Sequence, residues 1–511
     1  MFDSVKELVV VLTIAAIVFR LATPIALEFM DSGDFARRRL VWFLLTAVGF
    51  LSPNFWLYAL VAIPVLLWAN RSEPNPVALY LLLLRVIPPV DIPIPIVGNN
   101  GLFSLGNYRL LAFCILLPAV MRYRKTRDPA TVGRLGLMDV LLLAIGVLQV
   151  ALFTPPDLPY HLYIPDSPSN ALRRAFLFLL DTFLLFFAVS RTCQSRRKIA
   201  EVAAAFGLAC AVMAAIAVFE RTRNWLLYVD ILARWENNPN AAFYLARGGS
   251  VRAQASAGHS IALGNLLTVG LGFWFYLESY VRSRKSRIAA TFLLCAGLFA
   301  TNSRGAWLGA AITYFTFLAA GPRGASRVMR GAVIGLAIVG VILVTPIGDQ
   351  ILDLLPASGQ PADLYRHRLA ERGWEIVLAH PLFGDQFPWP EMEDLRQGEG
   401  IIDIVDSYLG FALNYGLVGL TCYLSFILVG MITVYVRSKE LTQSDPDLAL
   451  LGRSLVACIV GLLVMIDSVS FNMGIEKIFY VLAGLALAYA RLTREQQRQP
   501  AALSAPTPPG G

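Results

Sequence analysis

The segment IAATFLLCAGLFATNSRGAWLGAAITYFTFLAAG, Ile288 to Gly321, decides the fold. Two apolar runs, near 288–300 and 305–320, flank the polar tip Thr301–Arg304. The same alternation of long apolar windows and short polar breaks recurs along most of the 511 residues. Of these, 57% are hydrophobic and 15% charged, whereas soluble domains carry roughly a quarter of charged residues. Windows of about 20 apolar residues match the hydrocarbon thickness of a bilayer. The chain therefore reads as an all-α polytopic membrane protein rather than a soluble one.

Charge sets the topology. The net charge is +8, and the cations cluster in short loops at 37–39, 122–134, 191–198, 282–287, 322–330 and 437–439, with more after Arg491. Such loops are expected in the cytoplasm, so the charge reports membrane orientation and not nucleic acid. The remaining loops then fall outside: "FTPPDLPYHLYIPDSPSN", residues 220–256, the tip "TNSR" and a long loop at 346–404. Spans are expected near 7–28, 40–52, 55–69, 76–90, 107–121, 136–153, 172–190, 199–219, 257–280, 331–345, 405–436, 449–468 and 475–490, besides the opening pair. A re-entrant or broken segment around the proline-rich "VIPPVDIPIPIVG" would alter the first third, and the expected total is about 12 to 14 spans. The organisation is N-terminal helices 1–135, central helices 136–345 with the hairpin, the outer loop 346–404, C-terminal helices 405–490 and a polar tail 491–511 expected to be disordered. No internal repeat of the kind found in many transporters is evident. The start "MFDSVKELVVVLT" lacks the look of a cleavable signal. Five cysteines lie in apolar runs and Cys193 in a basic loop, without a CxxC pair, which argues against a disulfide framework or a cysteine metal site.

The outer face carries cations that this topology should exclude. Arg304 stands at the tip of the opening hairpin, Arg247 and Arg252 precede the span at 257, and Arg366, Arg368 and Arg372 lie in the long loop. Arginine forks match phosphate oxygens, so this set points to a diphosphate. Small residues and His259 in "VRAQASAGHSIALGNLL" stand at the outer start of a helix, where they serve either as cap and packing or as part of an anion site. Within the long loop, "LYRHRLAERGWEIVLAHPLFG" has helical spacing at Leu364, Leu369, Trp374 and Ile376/Val377, which predicts a short helix pair on the outer membrane face. Asp403 and Asp406 open the next apolar helix, as caps or as a general base. "GLVG", Gly416 to Gly419, predicts a relaxed or kinked helix.

Together, "SRGAW", "YRHRLAERGW…HPLFG" and "DSYLGFALNYGLVGL" resemble the O-antigen ligase/polymerase superfamily over roughly residues 200–440. "EMEDLRQGEGIIDIVDSYL" is most similar to the Wzy-type O-antigen or exopolysaccharide polymerase branch. The resemblance implies a C-type glycosyltransferase fold that takes a glycan from undecaprenyl diphosphate on the periplasmic side of the bacterial inner membrane. It implies no cofactor and no metal. Polymerases use a second lipid-linked repeat unit as acceptor; ligases use lipid A–core. The ligase pattern has a histidine, then Asn, Ser or Gln, nine residues, then Gly-x-x-Gly. Here Val405 and Asp406 occupy the first two positions, so the ligase histidine is absent and a polymerase is favoured.

On this reading Arg304, Arg366 and Arg368 stabilise the departing diphosphate, with Arg252 assisting. Asp406 is the first candidate for general base and Glu371 the second. Arg252, His259, Arg372, Trp374, His380 and Tyr408 form the expected substrate-binding set. Trp374 is suited to stacking on a sugar, whereas packing is expected for Trp307. The implied partners are a lipid-linked glycan donor, a glycan acceptor, membrane lipid and an accessory chain-length regulator. A glycolipid transporter or flippase is the rival class, with Arg20, Asp181 and Asp467 as a proton path.

Overall fold

A computed structural model describes residues 2–94, 104–126, 135–153, 171–236, 246–247, 250–343, 361–397, 402–467 and 474–503. The described part is helical, apart from two short antiparallel ribbons, Ile92–Pro93 with Ser104–Leu105 and Ala246–Arg247 with Ser250–Val251. The "FTPPDLPYHLYIPDSPSN" loop after Phe153 and the last residues, 504–511, lie outside the described residues; residues 491–503, expected to be disordered, instead continue the last helix.

Helices stand where apolar runs predicted spans. The first third holds α1 (Phe2–Phe29), α2 (Ser32–Leu51), α3 (Phe55–Arg71) and α4 (Pro76–Leu83). Helix α5 runs through Asn107–Leu111, a π-helical Ala112–Leu116 and Leu117–Thr126. Next come α6 (Leu137–Ala151) and α7, which passes from Ala171–Phe178 through a π-helical Leu179–Phe183 into Leu184–Thr192. The centre comprises α8 (Arg196–Arg223), the short α9 (Val229–Glu236), α10 (Ser260–Leu277), α11 (Arg284–Ala300), α12 (Arg304–Ala319) and α13 (Gly324–Leu343). Then follow α14 (Pro361–Ala379), α15 (Ser407–Glu440), α16 (Pro446–Ile466) and α17 (Ile475–Leu503). Among the described residues, α1, α8, α15, α16 and the Ser260–Tyr280 stretch are long and apolar enough to cross a membrane. The protein is a multi-pass membrane protein built from helices.

One expected span breaks. Helix α4 ends at Leu83, short of the Pro88–Pro89 pair, rather than running to 90. A residue before proline is driven out of the helical region. The broken end is buried, and its carbonyls need donors. Asn107 supplies them: its amide nitrogen donates to Leu83 O and Leu84 O at 3.4 and 3.3 Å.

The basic loops gather at one end of the bundle, held by ion pairs. Arg38 is fully buried and bonds Glu73 at 2.5 Å and Glu201 at 2.7 Å. Arg191 meets Asp139 at 2.9 Å, Arg197 meets Asp31 at 2.9 Å, and Arg196 reaches Asp445 at 3.2 Å. These contacts tie the starts or ends of α2, α4, α6, α7, α8 and α16 together at what is here called the basic end. Helices α10, α12, α15 and α16 pack on one another and run from this end to the opposite one.

Candidate active site

The opposite end is built around the tip of the opening hairpin. Helix α11 stops at Ala300, Asn302 turns the chain with φ 50°, and α12 begins at Arg304. Asparagine tolerates that left-handed conformation better than most residues. The tip, expected to be external, lies at the end opposite the basic loops and is covered, with Thr301, Asn302 and Ser303 all buried. Its cover is the segment before α10. Ala253 N donates to Ala300 O at 3.0 Å, and Arg252 Nε donates to Thr301 O at 3.3 Å. Thus Arg252 is anchored three residues before Arg304. Arg304 is half-buried at the first position of α12, behind Ser303, whose side chain makes no capping bond. A cation at the positive end of a helix dipole is unfavourable unless an anion shares the site.

A residue that sequence reasoning missed fixes this cover. Glu220, fully buried near the end of α8, accepts hydrogen bonds from Leu227 N at 3.0 Å, Gln254 N at 2.9 Å and Ala255 N at 2.8 Å. Ala255 has φ 44°, a conformation that costs a side-chain-bearing residue about 1–2 kcal/mol. The carboxylate holds it there. A glutamate embedded in "AAIAVFERTRN" was a signal available in the sequence, since a charge inside an apolar helix needs a partner.

Helix α10 starts beside the tip. His259 is its N-cap, and Nδ1 accepts from Ile261 N at 3.2 Å. Burial, with the Arg252 charge adding, lowers the imidazole pKa to about 4. The ring is therefore neutral at pH 7: it caps the helix and does not add to the cation set. A Cβ on Gly264 would lie 2.5 Å from Ala306 Cβ, and Thr268 Oγ1 donates to Ala306 O at 3.0 Å, so α10 and α12 run close at this end. Side chains in this region keep polar atoms without a partner among the described residues, including the amides of Gln254 and Asn265, 1% and 2% exposed, the Ser260 hydroxyl and Asn302 Oδ1 at the tip. An unpaired buried polar group costs about 1–3 kcal/mol.

The starts of α12 and α15 meet the end of α16. A Cβ on Gly309 would lie 2.4 Å from Met465 Cγ, and Tyr408 Oη donates to Leu463 O at 2.6 Å. Asp406 is the N-cap of α15: Oδ1 accepts from Tyr408 N at 2.8 Å and Leu409 N at 3.1 Å. Burial raises its pKa above the usual carboxylate range; the two N–H groups oppose the shift and Asp467, just past α16, adds to it. Capping is thus what the geometry displays, and a raised pKa leaves a better base than an ordinary aspartate.

Helix α14 is a separate cation-bearing element. Its apolar face is Leu369, Ile376 and Val377, packed with Met392 and Leu395 of the returning arm Trp389–Leu395 against Leu409, Ala412 and Leu413 of α15. Leu364 and Trp374, expected on that face, are exposed, because the contact stripe passes through Gly373 instead. The second helix of the expected pair is a 3-10 segment. Arg368 pairs with Asp394 at 3.0 Å, and Arg372 pairs with Glu375 at 2.8 Å while donating to Glu391 O. Glu371 is exposed beside His367 at 3.7 Å. Arg366 is exposed as well. Arg368 and Arg372 thus make exposed ion pairs within their own segment, while Arg252 bonds the hairpin tip that Arg304 follows and lies beside His259. Trp307 packs as expected, stacking on Phe299 at 5.2 Å and donating to Leu298 O. The imidazole of His380 and the carboxylates of Asp385 and Glu391 offer ligand atoms within 4.8 Å of one another, a set that could hold a divalent cation.

The "HPLFG" and "GLVG" motifs prove to be one device. Helix α15 breaks at Gly416, with φ 63° and ψ −169°. The turn after α14 fills the break: Leu417 N donates to Pro381 O at 2.8 Å, Val418 N to Leu382 O at 3.3 Å, and Asp385 N to Leu413 O at 2.8 Å. A Cβ on Gly416 would sit 2.3 Å from the Leu382 carbonyl, and one on Gly384 2.2 Å from Leu413 O. Glycine is required at both places.

These features define an α-helical membrane protein with Arg252 and Arg304 held at the end opposite its basic loops. A family model described as O-antigen ligase matches residues 289–424, which supports the O-antigen ligase/polymerase superfamily. The match contains Arg304, α14 and the Gly416 break; Arg252 and His259 lie before it. Members of this family are glycosyltransferase-like enzymes. No curated protein matches the chain.

Proposed function

We propose that the protein is an inner-membrane glycosyltransferase that polymerises undecaprenyl-diphosphate-linked repeat units on the periplasmic side. The observation that carries this is the anchoring of Arg252 to the tip that presents Arg304, at the positive end of α12. In the reaction, an acceptor sugar hydroxyl attacks the anomeric carbon of the donor glycan. The bond from that carbon to the diphosphate oxygen breaks, and the diphosphate leaves with its electron pair. Arg252, Arg304 and the α12 dipole oppose the growing negative charge. Asp406 takes the hydroxyl proton. Gln254, Ser260 and Asn265 are suited to sugar hydroxyls, which would satisfy their free donors and acceptors. The loop arginines and Glu371 frame the acceptor side, and a chain-length regulator would act from outside the chain.

The ligase reading is supported by the description of the matching family. It is weakened by Val405 standing where the ligase pattern has histidine. Purified protein in proteoliposomes, given a synthetic lipid-diphosphate repeat unit, is expected to yield a ladder of product sizes. A single addition onto lipid A–core would establish the ligase instead. Transfer of intact lipid across the membrane with no new glycosidic bond would refute both.

A further inference from the structure

The hairpin of α14 and its returning arm carries an apolar patch that the site does not use. Trp374, Leu378, Leu382 and Phe383 are 43%, 71%, 62% and 48% exposed. Their depth is fixed by backbone bonds, because Pro381 and Leu382 accept from Leu417 and Val418 of α15. Helix α15 is long and apolar enough to cross a membrane, and its basic end carries Tyr435 and Arg437. A hydrocarbon layer takes about 20 helical residues; counted back from Tyr435, it ends near Tyr415. The turn bonded to Leu417 and Val418 therefore falls at the apolar boundary, with Leu382 and Phe383 on its inner side.

Two further observations agree. Charge is graded along the hairpin: Arg366, His367, Arg368, Glu371 and Arg372 are exposed in the upper part, whereas between 373 and 384 only Glu375, paired with Arg372, and His380 are ionisable. Irregular backbone is tolerated at membrane depth only when its polar groups are satisfied by protein. Here Gly384 N bonds His380 O at 3.0 Å, Asp385 N bonds Leu413 O, and the Pro381 and Leu382 carbonyls are taken by α15. The patch is also continuous with Leu417, exposed on α15.

We propose that Leu378, Leu382 and Phe383 at the tip of this hairpin form a lipid-facing anchor seated among acyl chains of the leaflet at the end opposite the basic loops, with Trp374 at headgroup level and His380 turned toward Asp385 and Glu391. Its occupant is bilayer lipid. The anchor would hold α14 against α15 and keep the Gly416 break filled.

The test is a photoreactive benzoyl-phenylalanine at Leu382 or Phe383 of the full chain, in proteoliposomes containing radiolabelled phospholipid, with the same residue at Leu364 or Arg366 for comparison. Gel filtration and circular dichroism check that each protein is folded. Irradiation is expected to attach phospholipid at 382 and 383 at least five-fold more than at 364 and 366. Equal, low lipid attachment at all four positions would overturn the proposal, as would attachment of 382 and 383 mainly to a second copy of the chain.

Discussion

The basic end and the segment around the hairpin tip differ in how they meet their buried polar groups. At the basic end, buried charges meet buried charges: Arg38 lies between Glu73 and Glu201, and Arg191 beside Asp139. At the other end, Arg252 and Arg304 stand beside a helix N-terminus, and Gln254, Ser260 and Asn265 keep atoms without partners among the described residues. Both arrangements cost desolvation. At the basic end the partners are inside the protein, and the result is a fixed topology. At the opposite end, on the proposed function, the polar atoms of Gln254, Ser260 and Asn265 that lack partners among the described residues would meet an anionic, hydroxyl-rich substrate. Breaking the first end should therefore cost stability, and breaking the second should cost turnover.

The largest effect on stability is expected from Arg38→Met, which takes the paired cation from Glu201 and leaves Glu73 with Arg37 alone; breaking a buried ion pair costs about 3–5 kcal/mol. Unfolding of the detergent-solubilised protein would measure it, and an unchanged midpoint would erase the contrast. Glu220→Gln comes next. It replaces one of two acceptor oxygens by a donor facing backbone N–H groups, a loss of about 2–3 kcal/mol, and activity should fall with it because the cover over the tip loosens. Asp406→Asn separates the cap from the base. Asparagine caps as well as aspartate, so the midpoint should stay within about 0.5 kcal/mol. Turnover should drop about 10²–10⁴-fold; full turnover in this variant would remove Asp406 from the chemistry. The smallest effect is at His259. Its folded pKa of about 4 lies below the unfolded value near 6.5, so the folded state binds fewer protons. Stability should then be full above about pH 6.5 and decline as the pH falls toward 4. His259→Asn should flatten that decline while leaving activity between pH 6.5 and 8 unchanged.

Much of this fold is legible in the chain because apolar length and loop charge act locally. The spans declare themselves within a window of about 20 residues, and the basic loops within a shorter one. The break in α4 is half legible: Pro88–Pro89 announces a stop, but that Asn107 would satisfy the stranded carbonyls depends on a contact from a later segment. The site divides in the same way. Arg304 and Arg252 stand out because cations are unexpected on that face. That Arg368 and Arg372 are neutralised by Asp394 and Glu375 follows from how α14 turns back on itself, which no local pattern encodes. Glu220 was passed over because its partners are backbone N–H groups from 227 and 254–255, invisible to residue type. "GLVG" predicts a kink from its own glycines, but that "HPLFG" fills the break at Gly416 depends on a contact between distant backbones.

The central claim is that Arg304 holds the departing diphosphate, and Arg304→Lys tests it most directly, since lysine keeps the charge and loses the two-pronged geometry. In proteoliposomes with a lipid-diphosphate repeat unit, the variant is expected to fold with the wild-type unfolding midpoint and to give no product ladder. A ladder of wild-type rate and length from the folded variant would contradict the account.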